Sequence, residues 1–368
     1  MKILHLVGVM NRAGLETFIM NMYRNINKDL YSFDFLCLHN QKGDYDTEIN
    51  HLGGNIYHTN LKPYGGVKGR IENYRIIKLE LSKYINTHDI LHIHNYHAFD
   101  SYIYAKAALA AGFKNVIVHS HSTNAEHHKE LHFLFRPFLN KLNINKLACS
   151  TAAGEWLFGE KNIKVISNGI NTDNYKFNTQ IRNEYRKKLN LSDDFVIGHV
   201  GRFEYVKNQI FLCKIANRVK KEIPNVKFVF VGEGIELDNI KEYCRKYNIE
   251  NVIFLGVRDD VNNIYQAFDL FAFPSIFEGI PLSIIEAETS GLPCIVSTGV
   301  PDGINIVNNV FHIDLNDTEN WIRKISEINK LHIDRTNNYN IIIDSGYDIN
   351  NSVHELEKFY SKVNNGGI

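Results

Sequence analysis

The chain has 368 residues with 41 Lys+Arg and 41 Asp+Glu, a formal net charge of zero. With 44% hydrophobic and 22% charged residues it is a globular chain, which excludes disordered, collagen-like and low-complexity classes. The neutral total argues against a dedicated nucleic-acid binder, and the length favours two domains. Residues 1–180 hold 20 Lys+Arg against 15 Asp+Glu, and residues 181–368 hold 21 against 26. The first half therefore either meets something anionic or carries salt-bridged solvated faces.

In chain order, Ile3–Val9 is a buried strand; His5 and Gly8 interrupt the apolar start and no small-residue cleavage site follows, so it is not a signal peptide. A loop containing Gly14 leads into a helix over Glu16–Ile26. Such a junction aims backbone N–H groups and a positive dipole end above the sheet, which suits a phosphate; alternatively Gly14 serves only the turn. Strands follow at Ser32–Leu38 and Ile56–His58, with the Asp44–Asp46 pair in a polar loop between them read as chance. After a helix at Tyr74–Ile85, strands Ile90–His94 and Val116–His119 end among His92, His94, His97, His119 and His121. No carboxylate or Cys completes a ligand set there, so no metal is expected. These histidines are either structural or turned toward a ligand.

Lys129–Leu142 mixes cations with large apolar residues and is either a membrane-surface helix or a core-packing one, with Pro137 arguing against one long interfacial helix. A strand at Lys146–Ser150 precedes the polar, turn-rich stretch 168–190, read as an interdomain linker. The alternation then restarts with strands Phe195–Val200, Lys227–Val231, Val252–Leu255, Leu270–Phe273 and Pro293–Val296. Helices Gln209–Glu222, Ile235–Tyr247 and Ser283–Ser290 lie between them, and a last helix covers Asn350–Val363. This predicts two doubly wound parallel sheets, with boundaries at 1–170 and 171–345 and residues 346–368 packing back across the domains. Facing each other, such domains hold a ligand in the cleft at the carboxyl ends of their strands. The five Cys are scattered, which excludes a disulfide framework. No run of 18 apolar residues exists, and the expected location is cytoplasmic.

Two segments of the second half carry chemistry. Gly201–Asn208 places Arg202 and Lys207 beyond a strand and at the opening of a helix. Cations there oppose the dipole, which an anionic ligand such as a diphosphate leaving group explains without a metal; incidental surface charge is the alternative. Phe273–Ala287 holds Glu278 in a Pro/Gly loop and Glu286 about a turn into the next helix. Eight residues of pure helix would span roughly 12 Å, beyond the ~5–9.5 Å of a hydrolytic dyad, so separate carboxylates that accept hydroxyl groups of one extended ligand are the more natural reading. Gly232–Gly234 is half of a dinucleotide fingerprint.

Taken in order, the Asn11–Ile19 segment, Cys149–Gly159, Ser167–Ile170, Gly201 with Arg202, Lys207 and Asn208, Val231–Gly234, Phe254–Gly256 and Phe273–Pro293 resemble the retaining family 4 glycosyltransferases of GT-B fold, in the branch that builds bacterial capsular polysaccharide and exopolysaccharide. The resemblance implies that Glu286 binds the ribose of a UDP-sugar and Glu278 the sugar hydroxyls, while Arg202 and Lys207 hold the diphosphate. It places Gly14, Gly201, Gly279, Ile280, Pro281 and Leu282 around the donor, Arg258 near the base and His121, with His119 as the rival, at the reacting sugar. Ala13 stands where relatives commonly have a second Gly. The implied acceptor is a glycan on undecaprenyl diphosphate at the inner membrane face, met by peripheral contact, with no metal cofactor and no nucleic acid. A sugar-nucleotide 2-epimerase on the same fold, a non-catalytic partner subunit and an NAD-dependent enzyme are the alternatives.

Overall fold

The structure, a computed structural model, describes all residues except 60, 62–65, 125–127, 192, 280, 337 and 367–368. They form two compact units, Met1–Gly169 with Ile349–Ile368, and Ile170–Asp348. The first contains β1 (Lys2–Val7), β2 (Ser32–Cys37), β3 (Ile56–His58), β4 (Ile90–Asn95), β5 (Val116–Ser120), β6 (Asn145–Ala148) and β7 (Lys164–Val165) in the order β3-β2-β1-β4-β5-β6-β7. Every pairing is parallel. Leu4, Leu6, Leu91 and Ile93 pack into one apolar layer; Ile3, Val7, Ile90 and Ile117 pack into the other with Phe18, Leu356 and Phe359. Burial of both faces is why these strands read as near-continuous apolar runs.

The second unit contains β8 (Phe195–Val200), β9 (Val226–Val231), β10 (Val252–Phe254), β11 (Leu270–Phe273), β12 (Cys294–Ser297) and β13 (Val310–Ile313), in the order β10-β9-β8-β11-β12-β13. It too is wholly parallel. In each sheet the strand order reverses beside the first strand, between β1 and β4 and between β8 and β11. Loops leaving such a pair diverge to opposite faces and open a crevice at the strands' carboxyl ends. The predicted doubly wound parallel class is therefore the observed one.

Three features differ from expectation. Segment 168–190 is not a solvated linker: the helices Thr172–Tyr175 and Thr179–Lys188 belong to the second unit. Arg182 and Arg186 on the longer helix grip the Asp269 carboxylate and the carbonyl groups of Gln266, Ala267 and Phe268, so the polar residues read as linker are bonded inward. The short strands β7 and β13 were not anticipated. Pro137 lies within a continuous helix, Lys129–Asn140.

The last helix, Ile349–Asn364, packs in the core of the first unit through Val353, Leu356, Tyr360 and Val363. Just before it, Tyr347 accepts a 2.9 Å bond from the Ile170 N–H, and Asp348 pairs with Ile170. All five Cys are buried and unpaired. Among the described residues no helix is long and apolar enough to cross a membrane.

Candidate active site

Two loops of the second unit straddle the reversal point. The loop after β8 is pinned by Gly201 N–H to Val231 and by Phe203 N–H to Glu233, at 3.0 and 2.8 Å. A Cβ on Gly232, whose φ is +133°, would lie 2.2 Å from the Gly201 carbonyl oxygen. The Gly232–Gly234 half-fingerprint is thus a packing requirement. A 3-10 turn covers Tyr205–Lys207, and the helix Gln209–Glu222 begins only after Asn208 at φ +53°. Arg202 and Lys207 therefore precede the helix instead of opening it, which corrects the expectation.

The loop after β11 is tied to the first: Ile276 N–H donates to Val206 at 2.7 Å, and the Asn208 amide donates to Pro274 at 3.2 Å. Across this junction Lys207 Nζ lies 2.6 Å from Glu278 Oε1 and 4.9 Å above the Phe273 ring. Both charged side chains are mostly shielded, at 22% and 12% exposure. Arg202 is 63% exposed and pairs with Glu204 at 3.0 Å. Ile280 lies outside the described residues.

Pro281 precedes the helix Leu282–Thr289. One turn in, Glu286 is held by two phenols, with Tyr175 donating to Oε1 and Tyr265 to Oε2, both at 2.9 Å. Burial raises the Glu286 pKa and the phenols oppose that. Glu278 and Glu286 thus have separate partners and share no proton. Neither Tyr175 nor Tyr265 was singled out by the sequence. Glu288, two residues on, is buried with its pKa raised to about 8 and accepts from the backbone of Ile306 and Val307, so it braces a loop. Arg258 is clamped by Asp260 through two bonds of 2.8 and 2.6 Å, an interaction that holds Asp260 at about 2.

In the first unit Gly14 is the first residue of the helix Gly14–Asn25, whose N-terminus has no side-chain cap. Gly14 and Gly279 have no positive φ, and a Cβ on either would meet nothing within 4 Å, so local packing demands glycine at neither. Asp44 and Asp46 accept from the backbone N–H groups of Arg12 and Gly43, which gives that pair a structural use. The histidines converge: His5–His92–His94 and His94–His119–His121 each bring ring nitrogens within 4.8 Å of one another, with imidazole as the only ligand type among the described residues. Burial lowers the pKa of His5 and His121 to about 3 and that of His92, His94 and His119 well below the ordinary value. His119 is fully buried, whereas His121 is partly exposed.

Two parallel doubly wound units, with charged side chains gathered over the reversal point of the second, define the GT-B class of transferases. The sequence comparisons agree: the model for glycosyl transferases group 1 matches residues 181–342, and that for glycosyltransferase family 4 matches residues 12–174. The glycosyltransferase EpsF of Bacillus subtilis is 32% identical over 317 residues, spanning 83% of this chain and 81% of that protein. The UDP-Gal:alpha-D-GlcNAc-diphosphoundecaprenol alpha-1,3-galactosyltransferase of Escherichia coli is 32% identical over 208 residues, 54% of each chain. In three dimensions the chain resembles HepE of Anabaena, solved in complex with UDP and glucose, with a TM-score of 0.77 at 19% identity over 98% of this chain and 100% of that one. The chain belongs to the family 4 glycosyltransferases and is an enzyme of that kind.

Proposed function

We propose that the chain moves a sugar from a UDP-sugar to a glycan carried on undecaprenyl diphosphate, in cell-surface polysaccharide synthesis, with retention at the anomeric carbon and without a metal. The observation that carries this reading is Lys207 beside Glu278 at the reversal point of the second sheet. A shielded cation there neutralises a departing diphosphate where the low local dielectric makes that charge most effective. Arg202 adds a second, more exposed charge. Glu278 accepts from the sugar and Glu286 from the ribose, while the backbone of residues 279–282 and Gly201 lines the phosphates and Arg258 neighbours the base. In the first unit, His121 and the Gly14 loop are assigned to substrate contact.

Glu278 is ion-paired and Glu286 is held by two phenols, so neither is presented as a nucleophile. A front-face displacement follows, in which the leaving phosphate oxygen takes the acceptor proton and the protein contributes positioning and charge. The donor and acceptor named for the Escherichia coli relative support a UDP-sugar and a lipid-linked acceptor. Peripheral contact with the cytoplasmic membrane face is supported by helix Lys129–Asn140, where Phe133, Leu134 and Phe138 are 50%, 58% and 48% exposed and Arg136 lies over the Phe133 ring.

Calorimetric titration in EDTA with UDP, GDP, ADP, UDP-GlcNAc, UDP-Gal and NAD tests the reading. UDP and one UDP-sugar are expected to bind. Binding of NAD alone, or of UDP only after Mg²⁺ is restored, would overturn the metal-free diphosphate site. A UDP-sugar epimerised without any acceptor would identify the 2-epimerase instead.

A further inference from the structure

The buried histidines of the first unit are ordered by more than packing. In the register of the sheet His5 lies beside His92 and His94 beside His119, so all four project from one face. Tyr360, on the last helix, covers that face. Two hydrogen-bonded files result. In one, Tyr360 Oη meets His92 Nδ1 at 2.8 Å and His92 Nε2 meets His119 Nδ1 at 3.2 Å. In the other, His5 Nδ1 meets His94 Nε2, and His94 Nδ1 meets His121 Nε2, both at 2.9 Å. The buried nitrogens left over at the ends are His119 Nε2, His121 Nδ1 and His5 Nε2.

A neutral imidazole donates through one nitrogen and accepts through the other. The direction of one bond therefore fixes every tautomer in its file. The buried Tyr360 hydroxyl keeps its proton and gives it to His92 Nδ1, which puts the His92 proton on Nε2 and, in turn, the His119 proton on Nε2. At the deep end of the second file, the His5 ring packs against Phe33 and Phe35, with centroids 4.3 and 5.3 Å away. Either direction leaves one buried N–H without a protein partner, at His5 Nε2 or at His121 Nδ1. His5 is enclosed by these rings, whereas His121 is partly exposed and a ligand can satisfy its donor, so the His5 proton lies on Nδ1 and donates to His94. The His94 proton then lies on Nδ1 and donates to His121.

We infer that the file His5–His94–His121 presets His121 as an Nδ1–H donor for a substrate oxygen, a hydroxyl or phosphate oxygen, while the parallel file from Tyr360 presets its neighbour His119 as an Nε2–H donor. The inference rests on the assignment of His121 to substrate contact. His5, His92, His94 and Tyr360 are positioning residues. The arrangement makes His121 a hydrogen-bond donor of fixed direction, distinct from a general acid or base.

Long-range 1H–15N spectra of the full chain labelled with 15N-histidine read each tautomer directly. The expected result is Nδ1–H at His121 and Nε2–H at His119. His5→Phe removes the first donor: His121 should then show a mixture of tautomers, and kcat/KM should fall roughly five- to tenfold, the value of one hydrogen bond. His5→Asn keeps an N–H where Nδ1–H stood and should restore both. Nε2–H at His121 in the unaltered protein overturns the inference, as does an unmoved tautomer in His5→Phe or one equivalent of zinc retained by these histidines. The unaltered protein's spectrum decides the matter even if the buried variants fail to fold. Because the tautomers are read without turnover, the inference and the UDP-sugar reading fail separately.

Discussion

At the scale of single residues, Lys207 and Glu286, the two side chains proposed to meet the diphosphate and the ribose, are each held by specific neighbours. Lys207 is pinned between a carboxylate and an aromatic face; Glu286 has one phenol on each oxygen. If both cations stabilise the leaving diphosphate, Lys207→Ala and Arg202→Ala should each lower turnover by about 10²–10³, measured with a saturating UDP-sugar; unchanged turnover in both would remove the assignment. Tyr175→Phe and Tyr265→Phe should raise the donor KM roughly two- to tenfold, with kcat nearly unaltered, since each deletes one hydrogen bond to a binding group. A change in kcat alone would mean that Glu286 acts in the chemical step. The two glutamates were legible in the sequence because a strand, a Pro/Gly loop and a helix bracket them at short range. Tyr175 was not: it lies 111 positions from Glu286 in a stretch whose polarity reads as loop. Its role exists only once the helix Thr172–Tyr175 has folded into the second unit.

At the scale of elements, the strongly periodic strands were found nearly residue for residue, and Phe195–Val200 and Leu270–Phe273 coincide with their predicted spans. The two missed strands are short: β7 has two residues and β13 four, with His312 inside it. Such runs become strands because a neighbouring edge accepts them, which no local pattern announces. Helix Lys129–Asn140 was recognisable as amphipathic, but its burial was not. It turns His132 and Leu139 inward and leaves Phe133, Leu134 and Phe138 out, and it carries Pro137 in its interior. If that outward stripe meets lipid, the full chain should float with vesicles containing anionic lipid at low salt. The triple change Phe133→Ser, Leu134→Ser and Phe138→Ser should then abolish flotation while leaving UDP binding intact. Flotation unaffected by the triple change would place the contact elsewhere.

At the scale of the whole molecule, the buried histidines set the acid limit of stability. Burial holds His5 near 3 and His199 near 4, against about 6.5 in an unfolded chain. With folded values depressed, the unfolded state binds more protons below pH 6.5. The stability these residues contribute is complete above that value and is lost as pH falls toward 3–4, by about 1.4 kcal/mol per residue for each pH unit. His92, His94 and His119 act in the same direction. The thermal midpoint should therefore drop steeply between pH 7 and pH 5; a flat or rising midpoint would contradict the neutral, buried histidines described above.

The division of the chain also bears on its birth. The second unit is an insertion in the first, entered after Gly169 and left after Asp348. At about 5–20 residues per second, the ribosome spends roughly ten to forty seconds on the insertion before it begins Ile349–Asn364, the helix that closes the first core. The nascent first unit meanwhile lacks its cover over Phe18, Phe33 and the histidine face, and His92 has no Tyr360 to meet. The unit that emerges first is finished last, and chaperones have a defined interval in which to find it open.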